Sequence, residues 1–249
     1  MKATVLGIVA CALLVAAFAV FAPATLVDRR LAAVSGGKLR VLAAEGTVWR
    51  GRGALGDAAG TWRLPVAWTV DATALARGTL AVALAPPAGA ASPRGRIDVA
   101  GDALALRDAV VDVPAAALAS ALPARIPLAL GGTITLTAAD FAAAAGGFRG
   151  QIGARWRDAR VVAAGIAVNL GAVDLALAPQ GERLAGRVTN AGGDVRIDGT
   201  VTIARDSAGI DATLTPQSSA AEPVARALAA LGTPDGAGGV RVTWRGALR

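Results

Sequence analysis

The sequence contains no histidine and no tyrosine, and it has a single cysteine. Histidine is the commonest general base and metal ligand near neutral pH, so the usual catalytic arrangements have no place here. Cys11 lies in an apolar N-terminal run, which leaves the rest of the chain without a disulfide or a cysteine metal site. Phosphate-loop spacing and the serine elbow motif are also absent. We therefore expect no enzyme, no catalytic residue, no cofactor and no metal.

Aromatic residues are scarce, and lysine is almost replaced by arginine. Aromatics make up 4% of the chain, so its core must be built from Ala, Val and Leu. The formal charge is +7, but the basic residues alternate with aspartates and form no run. This pattern does not favour nucleic-acid binding, whereas attraction to anionic lipid headgroups stays open. Asp194 and Asp198 lie on one face of a strand, where we interpret them as solvated side chains and not as an acid pair.

An uncharged run covers residues 3–27, which is about the 20 residues that a membrane-spanning helix needs. We expect residues 1–27 to form an uncleaved N-terminal transmembrane anchor, because Pro23 makes a poor signal-peptide cleavage site. More basic residues follow the run than precede it, which opposes export, but long domains are translocated largely regardless of such charges. The orientation in the membrane is open at this point.

The remainder of the chain shows mostly two-residue periodicity. We expect a short juxtamembrane helix or linker over residues 28–37 and a single β-rich domain over residues 38–249. In residues 195–203, Val195, Ile197 and Val201 share one face, opposite charged and threonine side chains. A strand with one apolar face and one solvent-exposed polar face favours an antiparallel, curved sheet or sandwich-like body. The fold class is therefore mainly β, with an N-terminal transmembrane helix and two or three short helices.

Three local features are more specific. The apolar phase shifts by one residue at Gly171, which predicts a bulge or bend. Alternation also predicts that Ile134 and Leu136 point inward. Helices are predicted over Pro114–Leu122 and from Ser219 to Gly232, where Val224, Leu228 and Leu231 form one stripe. Residues 85–95 read as a loop.

Similar segments, GTVWRGRGAL and GVRVTWRGAL, lie near the two ends of the body. Alternation places Trp49 with Gly51, and Trp244 with Gly246, on the apolar face, where a glycine leaves room for an indole. Trp156 lies between two arginines that face the other way. We interpret these five residues as structural anchors of a sheet. A binding role for exposed aromatics is the alternative.

The order of these landmarks resembles the type II secretion system protein N family. The segments that carry the resemblance follow a short N-terminal anchor and are Gly46 to Gly51, Trp62 to Pro65 with Trp68, Leu75 to Leu80, Val113 to Leu118, Pro127 to Ile134, Leu228 to Gly232, and Gly239 to Gly246. The resemblance implies a single-pass inner-membrane protein with its body in the periplasm. It also implies contacts with other inner-membrane and periplasmic secretion subunits, and it supplies no catalytic residues.

Two functional readings follow. In the first, the body is an accessory scaffold of the type II secretion system, which exports folded proteins, and it docks other subunits through strand edges or an exposed face. In the second, an open sheet with an apolar groove binds or transfers lipid, in the general plan of anchored AsmA-like proteins. A groove would leave the apolar side chains exposed along a continuous trough, whereas a scaffold would bury them.

Overall fold

The computed structural model describes residues 21–86, 90–119, 129–163, 165–217, 221–229, 232–236 and 238–247. The chain divides into two compact units, Met1–Arg94 and Gly95–Arg249. Both units are built mainly from antiparallel strands with a few short helices, which confirms the mainly β, antiparallel part of the predicted class. That residues 38–249 form one β-rich domain stays a prediction.

The first unit is a four-stranded antiparallel sheet in sequence order, with a helix packed on it. Its elements are α1 Thr25–Val34, β1 Leu39–Gly46, β2 Arg50–Asp57, β3 Arg63–Val70, α2 Ala72–Leu75 and β4 Leu80–Ala85. Val27 and Leu31 of α1 pack against Val41 and Trp68 of the sheet. The helix ends where Gly36 and Gly37 adopt positive φ angles of 62° and 81°, the left-handed backbone that glycine tolerates at a helix terminus.

Helix α1 begins at Thr25, within the predicted anchor, and continues to Val34, within the predicted juxtamembrane segment of residues 28–37, so the boundary between these two segments stays a prediction. Residues 1–20 of the predicted transmembrane anchor lie outside the described residues. Among the residues that are described, no helix has the length and the apolar character needed to cross a membrane.

The second unit is a larger antiparallel sheet. Its strands are β5 Arg94–Ala100, β6 Ala103–Pro114, β7 Ala129–Ala144, β8 Gly147–Arg149, β9 Ile152–Ala163, β10 Ile166–Gln180, β11 Arg183–Ala191, β12 Val195–Ile203, β13 Ser207–Pro216, β14 Thr233–Pro234 and β15 Val240–Ala247. The strands pair in the order β5-β6-β7-β9-β10-β11-β12-β13-β15-β14, and β8 pairs with β7. Two short helices belong to this unit, α3 Ala115–Ala119 and α4 Ala221–Ala229.

The apolar face of this sheet is filled in two ways. Over β10 and β13 it is covered by α4, whose Val224 and Leu228 are 5% and 1% exposed within the larger core cluster. Further along, the sheet curves, so that Phe141 of β7 packs in one cluster with Leu177 of β10 and Leu184 of β11. A helix therefore covers the larger core cluster, and side chains of nearby strands form the smaller one.

The predicted periodicity is confirmed in β12. Val195 and Ile197 are buried, and the intervening Arg196 is exposed. The pairing of β10 with β9 shifts register on either side of Gly171, whose φ is 71°, so the predicted bulge is present. Leu136 is a correction: its neighbour Ile134 is 5% exposed, but Leu136 is 39% exposed. Alternation assigns a face to a side chain, but it does not say whether another element covers that face.

Both helices predicted in the body are present where they can be described. Helix α3 begins at Ala115, one residue later than predicted, because Pro114 is the last residue of β6. Residues 120–122 of that prediction lie outside the described residues. Helix α4 carries the predicted stripe with Val224 and Leu228, and Leu231 lies outside the described residues. Helix α2 was missed by the periodicity, because its four residues are fixed by a local cap: the Asp71 carboxylate accepts from the backbone N–H of Thr73 and of Ala74.

Candidate interaction surfaces

The solvent-exposed face of the sheet in the second unit carries a row of arginine–aspartate pairs. Arg187 on β11 donates to Asp198 on β12, with Nη2 2.5 Å from Oδ2 and Nε 3.1 Å from Oδ1. This hydrogen-bonded guanidinium lowers the pKa of the Asp198 carboxyl. Asp194, by contrast, accepts the backbone N–H of Asn169 at 2.9 Å. The two carboxylates that share a face in the sequence therefore have separate structural partners.

Equivalent pairs continue across the sheet. Arg241 on β15 holds Asp211 on β13 at 2.6 Å and 2.8 Å, and this contact lowers the pKa of Asp211. Arg155 on β9 holds Asp174 on β10 at 2.7 Å and 3.2 Å. These bidentate pairs neutralise much of the charge on the face and fix the orientation of the side chains. Within the described residues, no group of three or more Asp, Glu or Cys side chains could hold a metal ion.

The first Trp-Arg-Gly segment packs differently from the prediction. Trp49 is half-buried. The indole over Gly51 is that of Trp68, the residue directly opposite it on β3. A Cβ at Gly51 would lie 2.4 Å from Cζ2 of Trp68. Trp68 is 6% exposed, and its Nε1 donates to the Val48 carbonyl at 3.0 Å. The glycine thus makes room for a cross-strand indole, which single-strand alternation does not identify.

The other two tryptophans also differ from each other. Trp156 is half-buried against the larger core cluster, and its Nε1 donates to the Gly131 carbonyl at 2.8 Å. Trp244 lies over Gly246, as expected, since a Cβ there would be 2.3 Å from its Cζ2. However, Trp244 is 41% exposed. The structural-anchor role assigned to these residues stays a prediction, and Trp244 is in addition an accessible aromatic surface.

The outer edge of β1 in the first unit is occupied by side chains and by the preceding chain. The Asp28 carboxylate accepts the Val41 N–H at 2.8 Å, and the Ser35 hydroxyl accepts the Leu39 N–H at 3.0 Å. Asp28 also binds Arg40, which lowers the pKa of its carboxyl. Residues 22–24 hydrogen-bond along the end of the same edge. Edges are protected in this way against pairing with another chain.

The outer edge of β15 in the second unit is different, and this difference was not evident from the sequence. Its pairing with β14 is limited to Val240 and Arg241, although pairing with β13 continues to Ala247. The described residues therefore leave Val242–Ala247 with one paired and one unpaired side. We call this segment the open edge of β15. Trp244 lies within it, so an exposed indole and free backbone groups occur together.

A hollow of about 1250 Å³ lies at the turn end of the second unit. It is bounded by the β7–β8 and β12–β13 turns, which are tied together by Arg205 Nη2 donating to the Ala144 carbonyl at 2.7 Å. Its charged lining is balanced, with three acidic residues and three arginines, namely Asp102, Glu182, Asp206, Arg183, Arg205 and Arg245. This mixed charge does not select a ligand of one sign.

Comparison with known families assigns the chain to a family. The family described as type II secretion system, protein N, matches residues 38–243, which is more than half of the chain. The chain belongs to this family. The matched range contains every strand of both units, apart from the last residues of β15. Comparisons with curated proteins and with solved structures give no match. The resemblance found in the sequence is thus confirmed, and a component of the type II secretion system is what membership implies.

Proposed function

We propose that this protein is an accessory inner-membrane component of the type II secretion system whose β-rich body lies in the periplasm. In this proposal the body is a scaffold that contacts other secretion subunits during the export of folded proteins. The family match over residues 38–243 is the observation that carries it. The uncharged run of residues 3–27 supports the membrane anchor.

The packing of the second unit favours a scaffold over a lipid groove. A groove would need apolar side chains exposed along a continuous trough. Instead, residues such as Val168, Val195 and Leu228 are at most 2% exposed, and α4 and the curved sheet fill the apolar face. Leu136 and Trp244, at 39% and 41% exposure, are the exposed large apolar side chains of the described part of this unit. These are separate positions on β7 and β15.

Co-purification tests the scaffold proposal against lipid carriage. The full chain, tagged and extracted in mild detergent from cells that express the secretion genes, is analysed for both proteins and lipids. We expect secretion subunits to be enriched, with a lipid content equal to that of an unrelated single-span protein prepared in the same way. Stoichiometric lipid without any secretion subunit would contradict the scaffold proposal and favour lipid binding.

Cysteine labelling tests the proposed side of the membrane. Cys11 is the only cysteine, so a Cys11→Ser background allows a single reporter thiol. Gly146 suits this purpose because a Cβ built there meets no atom within 4 Å. We expect Gly146→Cys to react with a membrane-impermeant maleimide in intact spheroplasts. Labelling only after lysis would place the body in the cytoplasm.

A further inference from the structure

The open edge of β15 carries backbone groups that are directed away from β13. Gly239 shows the direction, because its carbonyl accepts the Asp235 N–H at 3.0 Å and its own N–H donates to the Asp235 carboxylate at 2.9 Å. In an antiparallel strand, every second residue directs its N–H and C=O to the same side. Thr243, Arg245 and Ala247 therefore direct theirs to the unpaired side.

The charge along this edge is uneven. Arg241 is neutralised by Asp211 through two hydrogen bonds. Arg245 is exposed and acts on Asp211 electrostatically, but it forms no ion pair or side-chain hydrogen bond within the described part of the chain. Opposite charges on directly facing residues of neighbouring strands stabilise their pairing. A strand added here would therefore be favoured by a carboxylate facing Arg245.

The apolar side of the edge adds a second requirement. Trp244 points to the face opposite to Arg245 and is 41% exposed, with its ring above Gly246. A half-exposed indole at a strand edge offers an incoming apolar side chain a large contact area. Because β14 already pairs with Val240 and Arg241, the open edge begins at Val242. A binding segment that pairs with this edge must therefore be short and extended.

We propose that the open edge of β15 binds an extended segment of another secretion subunit by strand addition. The segment carries an acidic residue facing Arg245 and an apolar residue beside Trp244. Backbone hydrogen bonds from Thr243, Arg245 and Ala247 would supply the pairing, and the two side chains would supply the selectivity. This inference rests on the proposed function only for the identity of the partner. The open edge itself is a feature of the structure.

Photo-crosslinking in cells that express the secretion genes tests the edge. The full chain carries p-benzoyl-phenylalanine at position 243 on the edge, or at position 213 as a matched control. Thr213 faces the same side of the sheet but lies on β13, which is paired on both sides. We expect a product from position 243 that mass spectrometry identifies as a secretion subunit, crosslinked through a segment with Asp or Glu. Position 213 should give none.

Substitutions at Arg245 separate the backbone contribution from the charge. Arg245→Pro removes the outward N–H and spares the bonds to β13, so the product should disappear, whereas Arg245→Ala should retain part of it. Arg245→Glu should reduce the yield at least about fivefold, because an attractive cross-strand pair becomes repulsive. Arg245→Lys should keep it. Circular dichroism of each purified variant checks folding, and the exposed Glu and Lys variants carry the test if the proline variant is unfolded.

The failures of the two proposals are distinguishable. No product at position 243, equal products at 243 and 213, a yield that is insensitive to Arg245→Glu, or a product containing only this chain would each overturn the edge inference. Loss of secretion on deletion of the gene would still support the proposed function. An edge-dependent product with a protein outside the secretion system would uphold strand addition and count against the proposed function.

Discussion

The close approach of Gly51 to Trp68 gives a prediction whose size follows from the structure. In Gly51→Ala the new methyl group would lie 2.4 Å and 2.8 Å from ring atoms of Trp68 and 2.9 Å from the Glu45 carbonyl oxygen. The ring cannot move away without cost, because it is 6% exposed and donates to the Val48 carbonyl. Overpacking of this kind costs about 1–3 kcal/mol. We therefore expect the free energy of unfolding to fall by that amount.

Urea unfolding of the full chain in detergent, followed by tryptophan fluorescence, measures this loss. Gly146→Ala is the matched control, since a Cβ there meets nothing within 4 Å, and its stability should not decrease. In a double-mutant cycle with Trp68→Leu, the added methyl group gains space, so Gly51→Ala should cost less than in the native background. A loss below about 0.5 kcal/mol in the native background, or an undiminished loss beside leucine, would refute the assigned contact.

Three further predictions concern the core and the N-terminal helix. Leu228→Ala should destabilise the chain by about 2–5 kcal/mol in urea unfolding because α4 closes the core, and Leu228→Met by less than about 1.5 kcal/mol. Trp68→Phe should lower the free energy of unfolding by about 1 kcal/mol more than Trp62→Phe does, because it leaves the Val48 carbonyl without its donor. The buried Nε1 of Trp62 has no acceptor among the described residues, so its removal breaks no hydrogen bond there. Equal losses in the two variants would contradict this. The lowered pKa of Asp28 means that its contact with Arg40 contributes stability above the ordinary value of 3.8 and loses it as pH falls through the lower folded-state value. Thermal unfolding of Asp28→Asn should therefore show a smaller loss between pH 5 and pH 2, and a pH dependence identical to that of the native chain would count against the contact.

The sequence predicted features that depend on one strand or one helix at a time. The faces of β12 follow from alternation at Val195 and Ile197, and the bulge at Gly171 follows from a phase shift that a regular strand cannot accommodate. The stripe of α4 is likewise local. In each case the periodicity of a single segment contains the structural information.

Features that depend on which strands are neighbours could not be predicted in this way. The indole that occupies the space at Gly51 comes from β3, and the length of the open edge depends on how far β14 extends along β15. The capping of β1 by Asp28 and the open edge of β15 also require the pairing order. The candidate binding edge therefore emerged from the structure, although both of its key residues, Trp244 and Arg245, stand in a segment that the sequence had singled out.

The secretion phenotype tests the central claim most directly. Exoproteins are measured in the medium and in the periplasm of a strain that lacks this gene, with the full chain restored as a control. The account predicts that several substrates accumulate in the periplasm at the expense of the medium, and that the restored chain reverses the change. Unchanged partition of every substrate would contradict a role for this protein in type II secretion.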